Sequence, residues 1–143
     1  MAVGALSVLV VDDDFNEGDL FLRALRRSGF ENPVQVLTST EEARRYLRGD
    51  GEFGDRAQFP MPALVVLDHR MPGENGWDVP QWMRNDTFLR NLPAIVFSAS
   101  GIKEDATRAA ELGAAYQIKP QAPEEYQAVV KRMAEFWLRR GLA

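Results

Sequence analysis

The sequence predicts an α/β fold in which a five-stranded, parallel, doubly wound sheet carries helices on both faces. Short, mainly apolar runs alternate five times with segments of helical periodicity. The first run, LSVLVV at residues 6–11, is rich in valine and has the pattern of a strand that is buried on both faces. Strand and helix alternating in this way indicate a parallel sheet, and right-handed crossovers leave few topologies. We expect the strand order 2-1-3-4-5.

Each predicted strand is a short apolar run bounded by polar or turn-forming residues. The strands are expected at residues 6–11, 33–38, 63–67, 93–97 and 114–118. In the flavodoxin-like order these strands place the topological switch point between the first and the third strand, where ligands bind beyond the carboxyl ends.

The predicted helices have recognisable beginnings and ends. Ser39 and Glu42 resemble a capping box that opens the second helix, which ends near Gly49. A loop dense in Gly, Asp and Pro follows over residues 49–62. The other four helices are expected at residues 17–28, 78–85, 102–112 and 123–139.

Composition limits the class of protein. The 143 residues suffice for a single domain, 1–143, and the net charge of −4 argues against binding nucleic acid through broad electrostatics. No apolar run approaches the roughly 20 residues of a membrane span, and the N-terminus lacks the features of a signal peptide. The chain has no cysteine, which excludes disulfides and thiolate metal sites. We expect a cytoplasmic protein with no membrane partner.

Side chains able to bind a metal or a phosphate follow four of the five strands. They are Asp12, Asp13 and Asp14 after the first strand, Asp68 after the third, Ser98 after the fourth and Lys119 after the fifth. Gathered carboxylates repel one another, and a hard cation such as Mg²⁺, which takes carboxylate, water and phosphate oxygens, relieves that repulsion. Each position alone is ordinary loop chemistry, but together they predict a site for Mg²⁺ and a phosphate group.

Four segments in this order resemble the receiver domain of bacterial two-component response regulators. They are "VLVVDDD", "VVLDHRMPGENG", "FSAS" and "AAYQIKP". The resemblance covers about residues 7–137 and implies that Asp68 is the phosphoacceptor. It also implies that Lys119 is the family's lysine, that Ser98 occupies its Thr/Ser position and that Tyr116 is its switch aromatic residue.

The resemblance further implies a mechanism and partners. Asp12, Asp13, Asp68 and the backbone carbonyl of Arg70 would hold Mg²⁺, although the long Arg70 side chain departs from the small or amide residue often found there. Asp68 would take a phosphoryl group from a histidine kinase, and the chain would catalyse only its own phosphorylation and dephosphorylation. The 49–62 loop and the "FW" near the C-terminus resemble stand-alone receivers paired with phytochrome-type kinases. Output would then be a phosphorylation-dependent contact with a downstream protein.

Two alternative functions stay open at this point. A haloacid dehalogenase-type phosphatase needs Asp-x-Asp-x-Thr after the first strand; Asp12 and Asp14 fit, but Asn16 stands at the fifth position. A degenerate receiver would serve only as a docking module, and the intact set of acids, serine and lysine argues against it.

Other residues receive structural interpretations. His69 should point to the opposite side of the strand from Asp68 and be packed rather than catalytic, and Asp14 should be a loop or capping acid. In the last helix a stripe formed by Tyr126, Val129, Val130, Met133, Phe136 and Trp137 should pack on the sheet. Leu138 should face outward and, with the edge of Trp137, border a homodimer across the fourth helix, fifth strand and fifth helix.

Overall fold

The computed structural model describes residues 6–71, 73 and 75–138, and it confirms the predicted fold class. Its five strands form one parallel sheet in the order β2-β1-β3-β4-β5. The strands are β1 (Val8–Val11), β2 (Val34–Leu37), β3 (Leu64–Leu67), β4 (Ala94–Ser98) and β5 (Ala115–Ile118). β1 and β3 are neighbours, so the expected switch point lies between them.

Among the described residues, four α-helices connect the strands and a fifth follows β5. They are α1 (Phe15–Arg27), α2 (Thr40–Arg48), α3 (Asp78–Asn85), α4 (Lys103–Glu111) and α5 (Pro123–Trp137). Asp14 caps α1 by accepting a hydrogen bond from the Asn16 backbone N–H, which confirms its predicted capping role. Ser39 caps α2 through the Glu42 N–H, as the capping-box pattern predicts. Residue 139, the last of the predicted fifth helix, lies outside the described residues, as does Pro72.

The alternation of side chains along each strand divides the core between two helical layers. Val8, Val10, Leu64 and Val66 pack with α1 and α5 on one face of the sheet. The intervening residues of the same strands pack with α2, α3 and α4 on the other face. This period of two also fixes the side on which each residue beyond a strand end emerges.

The 49–62 segment is more ordered than its composition indicates. It contains a 3-10 helix (Gly51–Gly54), and Phe53 is buried against Tyr46 and Phe59 at ring-centroid distances of 5.1 and 5.2 Å. The Tyr46 hydroxyl donates to the Pro60 carbonyl at 2.9 Å. These contacts anchor the segment to α2.

The prediction for the end of α5 was wrong at two positions. Leu138 is 2% exposed and packs in the core, whereas Phe136, assigned to the buried stripe, is 50% exposed. The predicted angle of about 180° between Val129 and Leu138 is sound, but Val129 lies at one edge of the buried face, not at its centre. That face is centred near Val130 and continues through Ala134, so Leu138 forms its opposite edge. Leu138 therefore cannot border a dimer contact.

Replacing Leu138 by alanine should lower the free energy of unfolding by about 2 kcal/mol, because a buried leucine at the end of the core is removed. The matched change Phe136→Ala, at the exposed neighbour, should cost less than about 1 kcal/mol. Urea unfolding followed by tryptophan fluorescence measures both values. Equal losses from the two variants would contradict this assignment of the α5 faces.

Candidate functional site

Lys119 lies at the centre of a cluster of carboxylates at the carboxyl edge of the sheet. Its Nζ donates to Asp12 Oδ2 at 2.9 Å, to Glu17 Oε1 at 3.1 Å and to Asp68 Oδ2 at 3.2 Å. The sheet register explains the arrangement: Val11 of β1 pairs with Leu67 of β3, so the next residues, Asp12 and Asp68, emerge side by side. By the same alternation both acids and Lys119 emerge toward α1 and α5.

The electrostatics of the cluster follow from burial and pairing. Burial raises the pKa of Asp12, although the hydrogen bond and the charge of Lys119 act in the opposite direction. Burial acts to lower the pKa of Lys119, but the hydrogen bond to Asp12 and the charges of Asp68 and Asp12 outweigh it and hold that pKa above its ordinary value. Lys119 therefore stays a cation at neutral pH and offsets the charge of the acids around it.

The loop after β3 orients the Asp68 carboxylate. The backbone N–H of Arg70 donates to Asp68 Oδ1 at 2.8 Å, while Oδ2 accepts from Lys119. The Arg70 side chain is exposed. Gly76 makes the loop possible, because a Cβ at this position would collide with the His69 backbone carbonyl. Both Asp68 oxygens are thus held by donors at the open edge of the sheet.

The three acids that follow β1 have different environments. Asp12 is buried and its Oδ1 accepts from the Asp14 N–H at 3.0 Å, whereas Asp13 is exposed and Asp14 caps α1. Within residues 6–71, 73 and 75–138, no three Asp, Glu, His or Cys side chains cluster closely enough to hold a metal ion by themselves. Mg²⁺ does not need such a cage, since it commonly takes one or two carboxylates and completes its octahedron with water and phosphate. The Asp12 and Asp68 carboxylates fit that requirement.

Ser98 and Tyr116 lie on the other side of the sheet from the acids. Ser98 is the last residue of β4 and fully buried, and its Oγ accepts from the Ser100 N–H at 3.2 Å. The Tyr116 hydroxyl donates to the Ser100 carbonyl at 2.6 Å. The two predicted switch residues are therefore both bonded to the backbone of Ser100.

His69 is packed, as predicted, on the side opposite Asp68. Its ring lies 4.7 Å from the Trp77 ring between centroids, and its Nε2 lies 3.0 Å from Asp105 Oδ2. Sequence reasoning did not find Asp105 as the partner. It also missed Glu17. This residue lies in the first turn of α1, directly after β1, and that position in the sequence could have indicated that Glu17 lies at the same edge of the sheet as Asp12.

The fold and this cluster define a class of signalling protein, and comparison with known families agrees. Residues 8–131 match the family model described as the response regulator receiver domain. The chain belongs to this family of two-component signalling domains, whose members are signalling proteins phosphorylated by histidine kinases. Binding of Mg²⁺ or Mn²⁺ at the phosphorylation site is a property of the family.

Individual relatives are similar over most of the chain. The probable methanogenesis regulatory protein FilR2 of Methanothrix harundinacea is 32% identical over 92% of this chain and 83% of its own length. The transcriptional regulatory protein GltR of Pseudomonas aeruginosa is 32% identical over 99% of this chain, which spans 55% of GltR. Among solved structures, the response regulator RPA3017 in red light signalling of R. palustris has a TM-score of 0.86 at 28% identity, covering 93% of this chain and 94% of that one. The bacteriophytochrome response regulator RtBRR has a TM-score of 0.70 at 30% identity, covering 96% and 95%.

Family membership also bears on the alternatives. The haloacid dehalogenase alternative finds no support, since Asp14, which it needs at the site, is occupied as the cap of α1.

In the part of the chain that the structure describes, none of the helices is long and apolar enough to cross a membrane.

Replacing Lys119 by methionine should lower the free energy of unfolding by about 2 kcal/mol without divalent cations, because Asp12 and Asp68 lose their neutralising cation. The loss is smaller than for a fully enclosed pair, since the site is open on one side. Added Mg²⁺ should stabilise the variant more than the wild type. Without the lysine the carboxylates repel one another more strongly, and a bound cation relieves that repulsion. Denaturant unfolding with and without Mg²⁺ measures both effects.

The matched control is Lys131→Met, at an exposed lysine of α5. It should change neither the stability nor the response to Mg²⁺ appreciably. A Lys119→Met protein that behaves like this control would show that Lys119 does not hold the carboxylates together.

Proposed function

We propose that this chain accepts a phosphoryl group on Asp68 from a phosphohistidine of a partner histidine kinase and signals through a phosphorylation-dependent protein contact. One observation carries the proposal: the Lys119 ammonium contacts both Asp12 and Asp68 at the carboxyl edge of the sheet, between β1 and β3. A carboxylate nucleophile, a fixed cation and a second acid at one open edge are what an aspartyl phosphate site requires.

In the proposed transfer, one carboxylate oxygen of Asp68 attacks the phosphorus of the phosphohistidine. A new O–P bond forms while the P–N bond breaks, and its electron pair goes to the imidazole nitrogen, which takes up a proton from solvent. Lys119 stabilises the negative charge of the phosphoryl oxygens, and the Arg70 N–H keeps the carboxylate oriented. Water later attacks the same phosphorus, the bond between phosphorus and the Asp68 oxygen breaks, and orthophosphate leaves; the free Asp68 carboxylate is restored, and in this proposal the chain catalyses that step itself.

The proposed metal ligands are Asp12, Asp13, Asp68 and the backbone carbonyl of Arg70. When bound, Mg²⁺ supplies positive charge to the phosphoryl oxygens. Asp12 and Asp68 lie together on Lys119, and the exposed Asp13 adjoins Asp12 in the chain. The carboxylates supply the hard oxygen donors that Mg²⁺ prefers.

Ser98 and Tyr116 are the proposed switch. To reach a phosphoryl group on Asp68, the Ser98 hydroxyl must give up its bond from the Ser100 N–H. Tyr116 would then give up the Ser100 carbonyl and move into the space that Ser98 vacates. The result would be a changed surface around α4, β5 and α5, on which a downstream protein target could discriminate the two states.

A phytochrome-type kinase is the partner that we propose. It is supported by the likeness to RPA3017, a response regulator in red light signalling, and to the bacteriophytochrome response regulator RtBRR. A homodimer across α4, β5 and α5 stays a prediction. The edge of Trp137 could still border that contact, whereas Leu138 could not, because it is buried in the core. The cytoplasmic location expected from the sequence likewise stays a prediction.

Acetyl phosphate with Mg²⁺ should add one phosphoryl group to the wild-type chain and none to Asp68→Asn, which keeps the shape but removes the nucleophile. Intact-mass spectrometry measures the adduct. Asp14→Asn is the matched control, because asparagine caps α1 as well as aspartate does, and it should still be phosphorylated. An adduct on Asp68→Asn would refute the assignment, and no adduct on the wild type would favour the docking-only alternative.

Asp13→Asn should weaken Mg²⁺ binding at least about tenfold, since one charged ligand is lost, whereas Asp14→Asn should leave it nearly unchanged. Isothermal titration calorimetry of the two variants and the wild type gives the dissociation constants. Equal effects at the two neighbouring acids would contradict the assignment of Asp13 as a ligand.

A further inference from the structure

A cluster of polar side chains joins the residue after the phosphoacceptor to the first turn of α4. His69 follows Asp68 directly but emerges on the opposite face, where its side chain is 8% exposed. The hydrogen bond from Ser100 holds the pKa of Asp105 below its ordinary value. Asp105 is thus a carboxylate that only accepts, and the His69 Nε2–H donates to it at 3.0 Å. His69 Nδ1 is buried and has no hydrogen-bond partner among the described residues. The bond from Nε2 to Asp105 is therefore the hydrogen bond that orients the imidazole ring.

The same Asp105 oxygen holds the β4–α4 loop. Ser100 Oγ donates to Asp105 Oδ2 at 2.6 Å and accepts from the Ile102 N–H at 3.2 Å. The backbone of Ser100 in turn bonds to both proposed switch residues, to Ser98 through its N–H and to Tyr116 through its carbonyl. An unbroken series of hydrogen bonds therefore runs from His69 through Asp105 and Ser100 to the switch.

We infer that the bond between His69 and Asp105, here called the His69–Asp105 latch, stabilises the resting position of the β4–α4 loop and sets how readily the domain switches. The inference rests on the proposed function, because it assumes that Ser98 moves toward a phosphoryl group on Asp68. His69 and Asp105 are positioning residues in this account, since neither touches the phosphoryl group. They act through Ser100, which Ser98 and Tyr116 must both release.

The two ends of the latch lie on different parts of the fold: His69 follows the end of β3, and Asp105 lies in the first turn of α4. His69 is held in place by β3 and by its contact with Trp77, which also lies 5.2 Å from the Arg108 guanidinium of α4. Asp105 moves with α4. Any displacement of the β4–α4 loop that carries Ser100 away must therefore break the bond to Asp105 or pull Asp105 from His69.

A bond present in the resting state and lost in the switched state lowers the population of the switched state. Removing it raises that population, and any ligand selective for the switched state then binds more tightly by the same factor. Beryllofluoride, which mimics a phosphoryl group on an aspartate, is such a ligand. A hydrogen bond to a charged group has a net effect large enough to change affinity about fivefold or more.

The test compares beryllofluoride affinities, with Mg²⁺ present, by isothermal titration calorimetry. His69→Phe keeps an aromatic ring against Trp77 and removes the donor, while His69→Gln restores an N–H donor at a similar reach. Asp105→Ala removes the acceptor, and Glu104→Ala is its matched control, because Glu104 is an exposed acid in the same first turn of α4. Urea unfolding of every variant gives its stability.

We expect His69→Phe and Asp105→Ala to be less stable than the wild type and yet to bind beryllofluoride about fivefold more tightly. His69→Gln and Glu104→Ala should bind like the wild type, and the double variant His69→Phe/Asp105→Ala should bind no more tightly than Asp105→Ala alone. A merely structural bond would lower stability without raising affinity, and that result would overturn the latch alone. A wild-type chain that fails to bind beryllofluoride would overturn the proposed function and the latch together.

Discussion

The charge of a single ammonium group, Lys119 Nζ, holds the acidic edge of this domain together. It contacts the carboxylates of Asp12, Glu17 and Asp68 within 3.2 Å, and each contact joins a different segment of the chain to the end of β5. Carboxylates gathered in this way would otherwise repel one another strongly. The cation offsets this repulsion at rest, and in the proposed function the same cation stabilises a phosphoryl group on Asp68. In our account, structure and function therefore depend on one interaction.

The alternation of side chains along the strands places the residues of the site on two different faces of the sheet. Asp12, Asp68 and Lys119 emerge toward α1 and α5, where phosphoryl transfer would take place. Ser98 and Tyr116 emerge toward α4, where the hydrogen bonds of Ser100 hold them. In our account a chemical event on one face is read on the other, because Ser98 ends the strand next to β3 and can turn toward Asp68. His69 is adjacent to Asp68 in the chain, but its ring contacts Trp77 and Asp105 on the α4 side.

The fold could be predicted from the sequence because its signals are local. Apolar runs, the Ser39 cap and the glycines at helix ends locate the elements, and strand alternation places Asp12 beside Asp68. The contacts of Glu17 and Asp105 depend on how a helix packs across a strand end, which local periodicity does not specify. Leu138 was misassigned for a related reason: an angle on a helical wheel locates a residue relative to a neighbour, but only packing shows where the buried face is centred.

The central claim is that the Asp68 carboxylate held by Lys119 is the phosphorylated group. Borohydride reduction tests it most directly, since it converts an aspartyl phosphate into homoserine and leaves unmodified carboxylates intact. After phosphorylation of the wild-type chain with acetyl phosphate and Mg²⁺, peptide sequencing by mass spectrometry should find homoserine at position 68. Homoserine at another acid, such as Asp13, would contradict the account.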